Sequence, residues 1–184
     1  VLKNVSTRIM LIIYLMLIAI TAFFIVFGYY GQLSLQEEKQ YDKLSAIVAS
    51  TAVQIDGDKH DELYQQLSSK DAITSLGESH IYDEQQEILN RAQVNTKLES
   101  PLYSMVYDEE KDVFNYVVRS DDQLYYRHEY VKYPPVLKEK MNEGGIVPKH
   151  MSENGTWLSA FYPIKNKEGR VVAVLEADIE YVDK

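Results

Sequence analysis

The sequence predicts an α+β domain on a membrane anchor: an N-terminal transmembrane helix, then a long stalk helix packed on a central antiparallel sheet of about five strands. Three observations carry this. Ile9 to Gly28 runs for twenty residues without a charge, the length a helix needs to cross the hydrocarbon core. Leu33 to Ile55 contains no proline, and Tyr41, Leu44, Val48, Thr51 and Ile55 recur at helical spacing. From Leu102 the helical period gives way to short runs rich in Tyr, Val and Phe, separated by acidic turns.

The first stretch reads as an uncleaved anchor. A secretory signal has a shorter apolar region and a small-residue cleavage site, and Tyr29, Tyr30, Gly31 and Gln32 offer none. A core helix of a soluble protein would not be apolar on every face for this length. Lys3 and Arg8 precede the span and Tyr29-Tyr30 occupies the position of an aromatic belt, so the positive-inside rule puts residues 1–8 in the cytoplasm. Residues 9–30 then form the span and residues 31–184 lie outside.

About 150 residues follow the span, enough for one compact domain with its own core. The chain has 19 Lys+Arg against 28 Asp+Glu. Without Lys3 and Arg8 the outer part has 17 against 28, a balance of −11. That charge repels nucleic acid phosphates and anionic headgroups. With no cysteine, disulfides and thiol chemistry are excluded together, as befits a bacterial envelope protein held by its core alone. Fifteen tyrosines beside one tryptophan suit both a half-buried sheet and a polar pocket, because tyrosine packs a ring and keeps a hydroxyl.

In order, the stalk seam packs either the domain's own sheet or a helix of a second copy, which would make a homodimer. Asp56-Gly57-Asp58-Lys59-His60-Asp61-Glu62 lacks the alternation of an EF-hand loop. It reads as a helix break and the cap of a second helix, Lys59 to Leu67, with His60 in solvent. Ser68 to Ser79 is a polar loop, and Ile81 to Leu98 is a third helix ending before Pro101. Leu102 to Tyr107, Val113 to Arg119 and Gln123 to His128 form a three-stranded meander. Pro135 to Glu143 is a short helix stopped by Gly144-Gly145. Thr156 to Ile164 and Arg170 to Ile179 form a closing hairpin around a turn containing Gly169.

The closing hairpin, Trp157-Leu158-Ser159-Ala160-Phe161-Tyr162-Pro163-Ile164 followed by Asn166, Gly169 and Val171-Val172-Ala173-Val174-Leu175-Glu176-Ala177-Asp178-Ile179, resembles that of Cache domains. These, also called PDC domains, are the PAS-like extracytoplasmic sensors of bacterial receptors. The resemblance implies a PAS-like sheet, and its order of elements agrees over most of residues 30 to 184. The Arg-x-Trp-Tyr run of amino-acid-binding members is absent, since His128-Glu129-Tyr130 follows Arg127, so amino acid recognition does not come with it.

Motifs for phosphate loops, dinucleotide binding, zinc proteases and nucleophile elbows are missing. His60, His80, His128 and His150 lack ligand spacing, and neither metal, cofactor nor catalysis is expected. Glu176 and Asp178 interrupt an apolar strand and share one face. They lie either on the wet side of an outer strand or in a pocket for a cationic or hydroxylated ligand. Trp157 and Ser159 share a face of the preceding strand, and Tyr126 and His128 make the same offer from the third strand. These six are the candidate ligand residues.

The resemblance, the anchor and the missing catalytic motifs make the chain the sensory module of a bacterial transmembrane receptor. It is expected to sense a small molecule, with a second span and a cytoplasmic output domain after Lys184. A pilin-like structural subunit is the alternative, disfavoured because pilins have Glu at the fifth mature position and this chain has Val5; a ligand-free dimerisation module is another.

Overall fold

A computed structural model describes residues 5–152 and 155–182. Lys3, half of the expected positive-inside signal, lies outside the described residues. The chain forms two compact units, Val1–Lys39 and Gln40–Lys184. Helix α1 runs unbroken over Val5–Ala52. Its part within the first unit is long and apolar enough to cross a membrane, and none of that stretch is buried in protein.

In the second unit, the last turns of α1 lead to α2 (Gly57–Gln66), a 3₁₀ turn (Lys70–Ala72) and α3 (His80–Thr96). Strands β1 (Leu102–Asp108), β2 (Val113–Arg119) and β3 (Glu129–Tyr130) follow, then α4 (Pro135–Glu139) and strands β4 (Gly145–Ser152), β5 (Gly155–Lys165) and β6 (Val171–Glu180). The strands make one sheet in the order β3-β2-β1-β6-β5-β4, every neighbouring pair antiparallel.

The helix starts follow from local chemistry. Asp56 Oδ1 accepts hydrogen bonds from the amides of Asp58 and Lys59 at 3.1 and 3.2 Å, and Ser79 Oγ accepts one from Tyr82 at 3.3 Å, satisfying amides a helix leaves open. Gly57 is required by proximity: a Cβ there would stand 2.3 Å from the Lys165 carbonyl oxygen, so α2 begins directly against the β5–β6 turn. That turn uses Gly169 at φ 81°, with Asn166 Oδ1 accepting from the amides of Glu168 and Arg170 at 3.2 and 2.9 Å.

The stalk seam packs the domain's own sheet. Leu44, Val48, Thr51 and Ile55 are buried and Tyr41 packs beside them. They join Leu63 of α2, Leu89 of α3 and Leu102, Leu158 and Leu175 of the sheet in the larger core. A second, smaller layer covers the opposite face, where Leu137 of α4 meets Met105, Phe114, Val147, Phe161 and Val174. Asp112 pins this layer, accepting hydrogen bonds from the hydroxyls of Tyr107 (2.6 Å) and Tyr133 (2.5 Å) and from Lys138 Nζ (2.9 Å).

The sheet has six strands, one more than expected. The additional β4 is an edge strand broken by Pro148 and a register shift between Val147 and His150, which mask its strand signal. Gln123–His128 is not a strand, and β3 is reduced to two residues. Arg127 adopts φ 55°, because its side chain is held at the C-terminus of α2. Its Nε donates to the Leu67 carbonyl at 2.7 Å, its Nη2 donates to that of Tyr64, and its guanidinium lies 3.8 Å from the Tyr64 ring centroid. A cation capping a helix C-terminus is favourable and offsets the left-handed backbone.

His60 is buried, where the sequence suggested solvent. It sits one helical turn from Leu63 and Tyr64 on the inner face of α2, with Nε2 2.9 Å from Ser104 Oγ. Ser104 Oγ in turn accepts from the Val118 amide at 3.0 Å, so the imidazole closes a polar gap in the core. Its Nδ1 has no partner.

Candidate functional site

The site is built on β6, which pairs with β1 on one side and β5 on the other. That central position rules out the wet outer strand as the explanation of Glu176 and Asp178. Glu176 lies across from Tyr103 of β1 and Phe161 of β5, and Asp178 across from Ser159. Alternation along a strand puts these side chains on the face away from α1 and α2, in the layer rich in aromatic residues. Glu176 is only 2% exposed and Asp178 half-buried.

One bond anchors the pair: the Tyr103 hydroxyl donates to Asp178 Oδ2 at 2.7 Å. Glu176 Oε2, Asp178 Oδ1 and Ser159 Oγ are buried without a hydrogen-bond partner. Ser159 faces Asp178 closely enough to favour its charge yet outside hydrogen-bonding geometry. Buried polar atoms left unpaired are costly to the fold, and three of them lie together here.

Aromatic rings share this face with the two carboxyls. The centroids of Tyr103 and Tyr116 are 5.3 Å apart, those of Tyr116 and Tyr130 6.0 Å, and those of Tyr116 and Tyr125 6.3 Å. Tyr125, on the rim, contacts His128 at 5.1 Å. Arg119 stands beside them, but its guanidinium makes two bonds to Asp121 at 2.9 and 2.7 Å and lies 4.8 Å from the Tyr125 centroid.

The electrostatics follow from burial and like charge. Burial, then the charge of Asp178, raises Glu176 well above the usual carboxylate range. Asp178 is raised by burial against the opposing effects of Ser159, Tyr103, His150 and Arg119. Two carboxyls on one largely buried face resist ionising together. Burial, then the neighbouring carboxylates, also pushes the Tyr103 and Tyr116 phenols upward, so they remain neutral donors.

Of the six residues expected from sequence, Ser159, Glu176 and Asp178 come together. Trp157 is the next residue on the same face of β5, across from His150 and Glu180. His128 is exposed at the rim, reached through Tyr125. Tyr126 belongs elsewhere: it is buried in the larger core, its hydroxyl donating to the carbonyls of Leu63 and Leu67 at 3.1 and 2.7 Å. Sequence reasoning missed Tyr103, Tyr116 and Tyr130, although the abundance of tyrosine hinted at them. A separate cleft is lined by Met105, Tyr107, Glu109, Phe114, Met141 and Val174 and does not include Glu176 or Asp178. Among the described residues no group of three or more His, Asp or Glu is arranged to hold a metal ion.

No family model matches the chain, and no curated protein does. Solved structures with a similar outline include the sensory domain of the Campylobacter jejuni chemoreceptor Tlp3 (CcmL). It is 14% identical, with a TM-score of 0.43, over 84% of this chain and 64% of that one. The extracellular domain of mmHK1S-Z2, described as a histidine kinase, is 12% identical over 83% of this chain and 57% of that one, TM-score 0.42. The ligand-binding domain of the Pseudomonas fluorescens chemoreceptor CtaA, solved with L-valine, is 14% identical over 78% and 62%, TM-score 0.37. This chain thus spans less than two thirds of each. They are described as sensory, extracellular and ligand-binding domains, and what they bind is theirs.

Proposed function

We propose that residues 31–184 are the extracytoplasmic sensory domain of a membrane-anchored bacterial receptor, and that a small molecule binds at Glu176 and Asp178. The observation that carries this reading is Glu176: a carboxylate on the central strand of the sheet, 2% exposed, with an oxygen lacking any partner. Water would satisfy such a group at a surface and an apolar residue would pack better in a core, whereas a ligand supplies the missing partner. The apolar stretch of α1 supports the anchor, and the Cache-like hairpin supports the sensory class. Relay to an output domain would pass through α1, which runs without a break into the domain core.

The test is a thermal-shift screen of metabolites on the full chain in detergent. A ligand at a hundredfold excess over its Kd stabilises the fold by about 2.7 kcal/mol. The reading expects at least one compound to raise Tm in the wild type and to lose that effect in Glu176→Gln and in Asp178→Asn. Shifts that persist in both variants would locate binding elsewhere and overturn the site.

A further inference from the structure

We propose that the site takes an organic cation without an acidic group, an ammonium carried on a small alkyl body. This deepens the sensory reading and rests on it. Glu176 Oε2 and Asp178 Oδ1 are acidic oxygens on one face of one strand left without a partner, and the arginine beside them is already committed. Arg119 has its guanidinium engaged by the two-point contact with Asp121, and Arg127 is turned away onto the carbonyls of α2. No guanidinium fork is therefore left beside the pair to receive a ligand carboxylate, which disfavours zwitterions such as amino acids. The walls point the same way. Tyr103, Tyr116 and Tyr130 stand ring to ring at 5.3 and 6.0 Å, and ring faces combined with carboxylates attract desolvated cations, quaternary ammonium above all.

Entry of a cation would release a proton. Two negative charges side by side on this largely buried face oppose one another, so one carboxyl keeps its proton until a positive charge arrives and lets both ionise. The other groups facing the pair are Tyr103 from β1, Tyr116 and Arg119 from β2, Tyr130 from β3, His150 from β4 and Ser159 from β5. The phenols stay neutral and Arg119 stays charged over the working range.

The experiment is titration calorimetry on the full chain in detergent with choline, tetramethylammonium and ethylammonium, at pH 5.5, 6.5 and 7.5 and in two buffers of different ionisation enthalpy. The probes keep a constant charge over this range, so any pH dependence belongs to the protein. At least one is expected to bind with proton release, its Kd falling by up to about tenfold per pH unit. The neutral isostere 3,3-dimethylbutan-1-ol and the zwitterion L-valine are expected to bind at least about tenfold more weakly. Glu176→Gln should remove the pH dependence and His150→Gln should preserve it. Equal binding of the isostere, tighter binding of L-valine, or binding without proton release would overturn the cation assignment. If a neutral or anionic compound binds and loses its affinity in Glu176→Gln, the sensory site survives and the ligand class falls. If none of the cations binds, the proposal falls, and the metabolite screen alone decides the site.

Discussion

At the scale of single residues, two buried titratable groups pull the stability curve in opposite directions. Burial lowers His60 from 6.5 to about 4, so between these values the unfolded chain binds the proton more readily than the fold does. Its contribution is fully present above pH 6.5 and is lost as pH falls towards 4, amounting to about 3 kcal/mol. Glu176 is raised, so it opposes folding increasingly as pH rises above the ordinary carboxylate value of 4.5, up to its own folded pKa. Chemical denaturation from pH 4 to 7 checks both. In His60→Gln the loss of stability on acidification should flatten by about 2–3 kcal/mol, because the replacement keeps a donor for Ser104 without a titrating ring. An unchanged acid limb would assign that limb to other groups. In Glu176→Gln the decline on the alkaline side should shrink, and a steeper decline would contradict the burial argument.

At the scale of elements, α2 is the hub that locks the helices to the site loop. Its N-terminus touches the β5–β6 turn at Gly57, and its C-terminus receives Tyr126 and Arg127. Gly57→Ala is expected to cost about 1–3 kcal/mol, because the new methyl meets carbonyl and peptide backbone at 2.3–2.8 Å with no flexible side chain to yield. Arg127→Ala removes two charge-assisted bonds and a cation–ring contact, which predicts a loss of about 2 kcal/mol. Hydrogen exchange would show where: amides near Leu67 and in 121–128 should exchange faster while the β5–β6 ladder stays protected. Uniform acceleration would mean that the loop is not a separate element. Because Tyr125 on this loop forms the rim of the site, the same variant should weaken ligand binding without touching the carboxylates.

At the scale of the molecule, the proposed anchor makes a topological claim. Alkaline phosphatase fused to the C-terminal end of the chain should be active in a bacterial host, and an inactive fusion with a fluorescent cytoplasmic reporter at the same site would reverse the orientation. Helix positions were legible because the seam through Leu44, Val48 and Thr51 repeats at the helical period, although α2 starts at Gly57 with Asp56 as its cap, two residues before the expected Lys59. The closing hairpin was legible for the same reason. What escaped is non-local. His60 looks like a solvated polar residue until Ser104, 44 residues away, is placed beside it. The segment 123–128 has strand composition, but α2 captures Tyr126 and Arg127 and bends it into a loop. The carboxylates could be named from sequence, whereas their central position depends on β1 pairing with β6, a contact across some seventy residues. Tyr103, Tyr116 and Tyr130 converge for that reason too. The central claim is that Glu176 serves a ligand at the expense of the fold, and its most direct test is the thermal melt of Glu176→Leu against wild type at pH 7.5. Replacing an unpartnered buried acid by an apolar side chain is predicted to stabilise the fold by about 1 kcal/mol or more, raising Tm by roughly 2–4 °C at this size. A lower Tm would show that Glu176 holds the domain together, and would contradict the account.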